Sequence, residues 1–199
     1  MPVPIQWPHH VREISHTTEP VFGFYGGLRF EKGSQILAEA IAVFAKFHPD
    51  THFIVHAPLT ESDQRAVNYL ANIQQVELIQ ENFEDKNSYY SQFCRAHFIL
   101  MPYDPAIYAF RTSGVFIEAL GLGRPVITTD GTWMTHQLRK WPAAGLTMAS
   151  YSAGALLDCL EAARRTVIHR SWNSNSNYEI ISSNNASAFC GALIRAMQD

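Results

Sequence analysis

The chain has 199 residues, a length that suits one domain of ordinary size or one large domain with an appendage. Hydrophobic residues make up 47% and charged residues 17%, which supplies ample material for a core and argues against disorder over most of the chain. The formal net charge of -3 gives no global sign of nucleic-acid binding, although a local basic patch for a phosphate ligand stays open.

Short apolar runs alternate with helical patterns along most of the chain. Residues 1–20 are rich in proline and histidine and are expected to form an extended lead-in, and residues 21–199 are expected to form one domain. The predicted strands are residues 21–26, 51–57, 76–80, 97–102 and 124–130. The predicted helices lie within residues 33–50, 61–75, 87–96, 113–122, 151–169 and 186–197.

The order of these elements indicates the fold class. Strands and helices alternate, and the strands are continuously apolar rather than alternating with polar residues, which is typical of strands buried on both faces. The pattern therefore predicts a doubly wound α/β domain with a parallel sheet and helices on both faces. In such folds ligands bind beyond the carboxyl ends of the strands, near the point where the strand order reverses.

The loop after the first strand, residues 26–34, combines glycines and cations just before a helix. Gly26 and Gly27 let the backbone approach a ligand closely. Arg29 and Lys32 can hold an anion, and the amides at a helix start favour one. The loop lacks the P-loop and GxGxxG patterns, so an ordinary tight turn with solvated charges is the alternative.

The loop after the fourth strand, residues 103–114, leads into a second helix start. Thr112 or Ser113 is expected to be the N-cap, and Gly114 leaves the first amides open to a ligand. Glu118 is a single carboxylate inside an apolar helix and needs a partner there. We expect that partner to be the hydroxyl pair of a bound sugar or ribose rather than a protein group. The alternatives are that Glu118 reaches solvent or pairs with Arg124.

Cysteine and histidine spacing gives little sign of a metal site. Cys94, Cys159 and Cys190 lie far apart without a CxxC pair, which favours buried thiols in a reducing compartment and hence a cytoplasmic protein. His52 and His56 share one face of a strand, where packing or contact with a ligand is favoured over metal binding. The chain start lacks the apolar core of a signal peptide, and no run approaches the roughly 20 apolar residues of a membrane helix.

Three segments together resemble one family. They are FYGGLRFEKGSQILAEAIAVFAKFHPDTHFIVHA, YYSQFCRAHFILMPYD and TSGVFIEALGLGRPVITTDG. In order and spacing they are similar to the carboxyl-terminal, donor-binding domain of family-4 glycosyltransferases, retaining enzymes with the two-domain GT-B architecture. The resemblance implies a single Rossmann-like domain, one half of a GT-B fold. It also implies a cytoplasmic enzyme, with peripheral membrane association as an alternative for the full enzyme.

The resemblance also implies roles for particular residues. Lys32, with Arg29, would hold the diphosphate of a nucleotide-sugar, while Glu118 would accept hydrogen bonds from the ribose; these three are the candidate catalytic residues. The remaining donor-binding candidates flank the sugar, the phosphates and the base. They are Gly26, Gly27, Arg111, Thr112, Ser113, Gly114, Val115, Asn82 and Phe83.

Two positions depart from the family pattern. The family has a pair of glutamates separated by seven residues, and the first of them falls here on Phe110, which can neither accept a hydrogen bond nor carry charge. Arg111 or Thr112 is the candidate replacement for its contact with the sugar. An arginine that often follows the first glycine of the loop is Gly27 here, and Arg29 is the candidate replacement.

The implied activity is hexosyl transfer to a glycan or lipid-type acceptor by a retaining mechanism that needs neither metal nor cofactor. A chain of this length has room for one of the two domains, so transfer is expected to require an amino-terminal acceptor domain. The expected partners are thus a nucleotide-sugar and that domain, without nucleic acid or a transmembrane segment. The alternatives are a catalytically idle module that binds a nucleotide or a partner, and an epimerase of the same architecture. Residues 129–142 are either an ordinary surface loop with a tryptophan packed inward or a contact to sugar, acceptor or the absent domain.

Overall fold

A computed structural model describes residues 20–60, 62–83 and 85–167. Almost all of the predicted lead-in, Cys190 and the predicted closing helix at residues 186–197 lie outside these ranges. The six strands of the described part are β1 (Val21–Phe24), β2 (His52–His56), β3 (Val76–Ile79), β4 (Phe98–Met101), β5 (Val126–Thr129) and β6 (Gly145–Met148). Its seven α-helices are α1 (Ser34–Phe47), α2 (Gln64–Leu70), α3 (Lys86–Phe93), α4 (Pro105–Tyr108), α5 (Gly114–Gly121), α6 (Trp133–Leu138) and α7 (Ala153–Val167).

The strands form one parallel sheet in the order β3-β2-β1-β4-β5-β6. The first strand, β1, therefore lies in the middle of the sheet. The next two strands, β2 and β3, extend the sheet on one side of β1, and β4, β5 and β6 extend it on the other side. Helices flank this sheet, so the predicted single Rossmann-like α/β domain is confirmed. The order reverses between β1 and β4, and the loops that follow these two strands lie at the predicted ligand edge.

Aromatic packing holds β1 at the centre of the sheet. The Phe22 ring lies 5.5 Å from Phe53 of β2, 5.8 Å from Phe98 of β4 and 6.1 Å from Phe44 of α1, measured between ring centroids. All four side chains are at most 1% exposed. Because each ring buries a large apolar area, this cluster fixes α1 against β1 and joins β1 to both of its neighbouring strands.

Residues 129–142 contain a helix rather than an ordinary surface loop. Thr132 caps α6: its side chain accepts a hydrogen bond from the Thr135 amide, and the Thr135 hydroxyl accepts one from the Thr132 amide. Trp133 packs inward against Phe116, with ring centroids 5.6 Å apart. The next strand, β6, was also missed, because it is a half-exposed edge strand that begins at a glycine.

Candidate functional site

The loops after β1 and β4 are joined to each other at the carboxyl edge of the sheet. The Asp104 amide donates a hydrogen bond to the Glu31 carbonyl oxygen at 3.0 Å. Gly33 has φ +78°, and a Cβ placed on it would lie 2.0 Å from the Pro102 carbonyl oxygen. Only glycine permits both this conformation and this approach. The first loop is thereby fixed against the second.

Lys32 is buried between these loops. Its side chain donates a hydrogen bond to the Gly26 carbonyl oxygen, its Nζ lies 5.7 Å from the centroid of the Tyr103 ring, and the residue is only 7% exposed. The alternative of solvated charges is therefore wrong for Lys32. A Cβ on Gly26 would lie 2.8 Å from Lys32 Nζ and 3.4 Å from Val115 Cγ2, so the loop and the start of α5 face each other closely.

The start of α5 is a capped helix N-terminus that faces the first loop. Ser113 is the N-cap, since its Oγ accepts a hydrogen bond from the Phe116 amide at 3.3 Å, and Thr112 is exposed. The amides of Gly114 and Val115 belong to the first turn, where an α-helix offers no acceptor of its own. Together with the helix dipole, they form an anion-binding arrangement beside Lys32.

Arg29 and Arg111 converge on Tyr108. The Arg29 Nε atom lies 3.0 Å from Glu31 Oε1, and the Arg111 guanidinium carbon lies 5.1 Å from the centroid of the Tyr108 ring. Burial raises the pKa of Tyr108, and the nearby charges of Arg111 and Arg29 oppose that rise. Both candidate cations therefore lie on the β4 side of the site, where Phe110 is 95% exposed.

Glu118 has protein partners, so the expectation that a ligand alone satisfies it is wrong. The Tyr89 hydroxyl donates to Glu118 Oε2 at 2.8 Å, and the Tyr90 hydroxyl and Lys86 Nζ approach Oε1 at 3.3 Å each. All three partners lie on α3. The carboxylate is 5% exposed, which also excludes the alternative that it reaches solvent.

The predicted base-binding residues adjoin this cluster through Tyr89. The Phe83 ring lies 5.4 Å from the Tyr89 ring and 4.6 Å from the His56 ring. Asn82 is exposed beside it, and His56 Nε2 lies 3.2 Å from the Glu81 carbonyl oxygen. This surface lies at the carboxyl ends of β2 and β3.

The candidate residues thus fall into two groups along one edge. The first group surrounds Lys32 and the start of α5. It extends through Tyr103 and Tyr108 to Arg29 and Arg111. The second group surrounds Glu118. Sequence reasoning missed the tyrosines of both groups, because aromatic residues in a helix or loop are usually read as core. A usable signal was the spacing of Lys86, Tyr89 and Tyr90, which places all three on one helix face.

The buried tyrosines predict a loss of stability at alkaline pH. Burial raises the pKa of Tyr25 and Tyr103, and burial together with the Glu118 charge raises the pKa of Tyr89 and Tyr90, all above the ordinary value of 10.0. Above that pH the unfolded chain releases protons that the folded chain keeps, so the free energy of unfolding should fall. Urea unfolding at pH 8 and at increasing pH above 10 measures this; an unchanged midpoint would contradict it.

A separate open groove lies at the opposite, amino-terminal edge of the sheet. Tyr69, Asn72 and Ile73 line it together with the end of α1. It contains none of the candidate residues, so it is distinct from the site.

Comparison with known proteins places the fold in a family. Residues 19–164 match the model of the family described as glycosyl transferases group 1. This chain belongs to that family. A search of the curated proteins finds no significant match.

Solved structures agree with the fold of this glycosyl transferase group 1 chain. Sucrose-phosphate synthase of Thermosynechococcus elongatus superposes with a TM-score of 0.70 at 20% identity, over 90% of this chain and 45% of that one. HepE of Anabaena, in complex with UDP and glucose, gives 0.65 at 15% identity, over 92% and 49%. The carboxyl-terminal domain of a group 1 family protein of Francisella tularensis gives 0.58 at 19% identity, over 82% and 85%. This chain therefore spans about half the length of the first two.

Two further features are absent from residues 20–60, 62–83 and 85–167. No helix there combines the length and apolar character needed to cross a bilayer. Nor do these ranges contain a group of three or more histidine, cysteine, aspartate or glutamate residues placed to hold a metal ion.

Proposed function

We propose that this chain is the nucleotide-sugar donor-binding domain of a retaining, metal-independent glycosyltransferase. The observation that carries the proposal is the meeting of the Gly26–Lys32 loop with the start of α5. There the Lys32 ammonium bonds the Gly26 carbonyl oxygen, and a Cβ on Gly26 would lie 3.4 Å from Val115 in the first turn of α5. A cation beside the amides of a helix start is a set of donors that a diphosphate can use.

The same groups supply the chemistry that such a transfer needs. As the bond between sugar and diphosphate breaks, negative charge grows on the departing phosphate. Lys32 and the α5 amides would stabilise that charge without having to reorganise. Arg29 would add a second cation from the rim, once its pairing with Glu31 is exchanged for the phosphate.

The nucleoside would extend from the phosphates toward Glu118. Glu118 would accept the ribose hydroxyls, and Asn82 and Phe83 would border the base at the ends of β2 and β3. This direction follows from the contacts that join Phe83 to Tyr89 and Tyr89 to Glu118.

The sugar would extend the opposite way, toward Tyr108. Phe110 offers no acceptor for a sugar hydroxyl, so Arg111 or Thr112 would make the polar contact there. Gly27 would let the sugar approach the loop backbone closely, because glycine has no side chain. Its φ of +81° is also a conformation that favours glycine.

Transfer itself would need a second domain that positions the acceptor. We propose hexosyl transfer to a glycan or lipid-type acceptor, carried out in a cytoplasmic enzyme when both domains are present. The bound ligands of HepE, which are UDP and glucose, make UDP the first nucleotide to test.

The test is calorimetric titration of this chain with UDP, GDP and ADP, beside Lys32→Met and Lys140→Met. Lys140 is exposed at the end of α6 and serves as the matched control. We expect one nucleotide to bind. Lys32→Met should lower the affinity for that nucleotide by roughly tenfold to a hundredfold, since a hydrogen bond to a charged group contributes about 1.5–3 kcal/mol. Lys140→Met should bind like the wild type. Equal affinities for both variants would refute the assignment of Lys32.

An idle binding module is the second candidate, favoured by the full exposure of Phe110 where the family pattern has a glutamate. Sugar release from the bound donor, measured with an amino-terminal acceptor domain added, separates the two. Turnover supports the transferase, and tight nucleotide binding without turnover supports the module.

A further inference from the structure

Helix α3 holds Glu118 by two kinds of contact. The Tyr89 contact is short and enclosed: its hydroxyl lies 2.8 Å from Glu118 Oε2, and Tyr89 is 9% exposed. The Lys86 contact is longer and open: its ammonium lies 3.3 Å from Oε1, and its side chain is 56% exposed. Oε2 is therefore fixed by a buried hydroxyl, whereas Oε1 is shared by the Tyr90 hydroxyl, also at 3.3 Å, and a cation that solvent can reach.

The Lys86 ammonium also lies close to two aromatic rings. Its Nζ lies 5.5 Å from the centroid of the Tyr89 ring and 5.7 Å from that of the Tyr90 ring. A cation over an aromatic face keeps part of its stabilisation when it leaves a carboxylate. Because the Lys86 side chain is 56% exposed, water can solvate its ammonium when it leaves Oε1, and the Tyr90 hydroxyl at 3.3 Å stays with that oxygen.

We propose that Lys86 is a displaceable cover on the ribose site and that Tyr89 is a positioning residue for Glu118. This inference rests on the proposed function, because it takes the ligand to be a nucleoside diphosphate. When the nucleotide binds, a ribose hydroxyl replaces the ammonium at Oε1, and Tyr89 keeps the carboxylate aimed at that hydroxyl.

The exchange predicts discrimination between ribose and deoxyribose. A nucleotide that lacks the bonded hydroxyl displaces Lys86 without giving Glu118 a new donor. Glu118 Oε1 then keeps only the 3.3 Å contact with the Tyr90 hydroxyl, so the site disfavours the ligand that lacks the hydroxyl. Lys86 would compete with every nucleotide, whereas Tyr89 would govern only the preference for ribose.

The test measures the affinity of whichever of UDP, GDP and ADP binds, beside its 2′-deoxy and 3′-deoxy forms. The variants are Lys86→Met and Tyr89→Phe, with Lys140→Met and Tyr69→Phe as controls at exposed positions. For the wild type we expect at least one deoxy form to bind about tenfold more weakly. Lys86→Met should bind the ribonucleotide a few-fold more tightly and keep the discrimination. Tyr89→Phe should bring the ratio of the two affinities close to one.

The outcomes separate this inference from the function beneath it. If no nucleotide binds, both fall. If the ribonucleotide binds and both deoxy forms bind equally well, the inference and the ribose role of Glu118 are overturned, whereas the binding of nucleotide at Lys32 and α5 stands. A Lys86→Met variant that weakens all forms equally would show that Lys86 is a ligand contact rather than a cover, and that result does not depend on how Tyr89→Phe folds.

Discussion

Gly33→Ala should lower the free energy of unfolding by about 2–5 kcal/mol, because the new Cβ meets two separate penalties. The backbone at Gly33 has φ +78°, a conformation that a side chain disfavours. The added carbon would also lie 2.0 Å from the Pro102 carbonyl oxygen, which belongs to rigid backbone and cannot turn aside. Urea unfolding followed by circular dichroism measures the change.

Gly154→Ala is the matched control for this substitution. Gly154 lies in the first turn of α7, is exposed, and has no atom within 4 Å of an added Cβ. Alanine should there be neutral or slightly stabilising, since it restricts the unfolded chain more than glycine does. If the two variants unfold at the same denaturant concentration, the close contact between the loops after β1 and β4 is wrong.

The Gly33 contact also matters for the ligand edge. Gly33 follows Lys32 directly and touches the first residue after β4, so this contact sets the distance between the loop after β1 and the loop that leads to α5. A Gly33→Ala protein that stays folded should therefore bind nucleotide more weakly than the wild type. Gly33 therefore contributes both to the stability of the fold and to the geometry of the candidate site.

The sequence was informative about the fold wherever burial is complete. The strands β1, β2, β4 and β5 are apolar runs because both faces of a central parallel strand are covered, and such runs stand out against the helices. The sequence does not predict the edge strand β6, because its residues are half-exposed and do not form a continuous apolar run. The sequence does not predict the short helix α6 either. Its capping box is formed by Thr132 and Thr135, whereas a glutamate or glutamine is the usual signal at the second position.

The site was predictable only where its residues are close in the chain. Gly26, Lys32 and Gly33 lie within one loop, and Ser113 and Gly114 within another, so their chemistry could be read locally. The partners of Glu118 lie 28 to 32 residues away on α3. No local pattern connects a helix rich in tyrosine to a distant carboxylate. Their meeting depends on how α3 and α5 pack across the sheet edge.

Glu118→Ala should cost about 2–4 kcal/mol of stability, because it removes the acceptor of the Tyr89 hydroxyl and of the Tyr90 hydroxyl at once. Both tyrosines are buried, at 9% and 4% exposed. A double-mutant cycle with Tyr89→Phe isolates the pair that matters most. Since the two groups are in direct contact, their coupling energy should be about 0.5–3 kcal/mol, measured by urea unfolding of the four proteins.

Glu39→Ala, at an exposed position of α1, controls for loss of a carboxylate in general and should change stability by no more than about 0.5 kcal/mol. A Glu118→Ala protein as stable as this control would mean that the carboxylate is not enclosed by α3. A coupling energy near zero with a large single effect would mean that Tyr90 or Lys86 carries the contact instead. A large coupling energy would make Tyr89 the group that fixes the orientation of the Glu118 carboxylate in the unliganded protein.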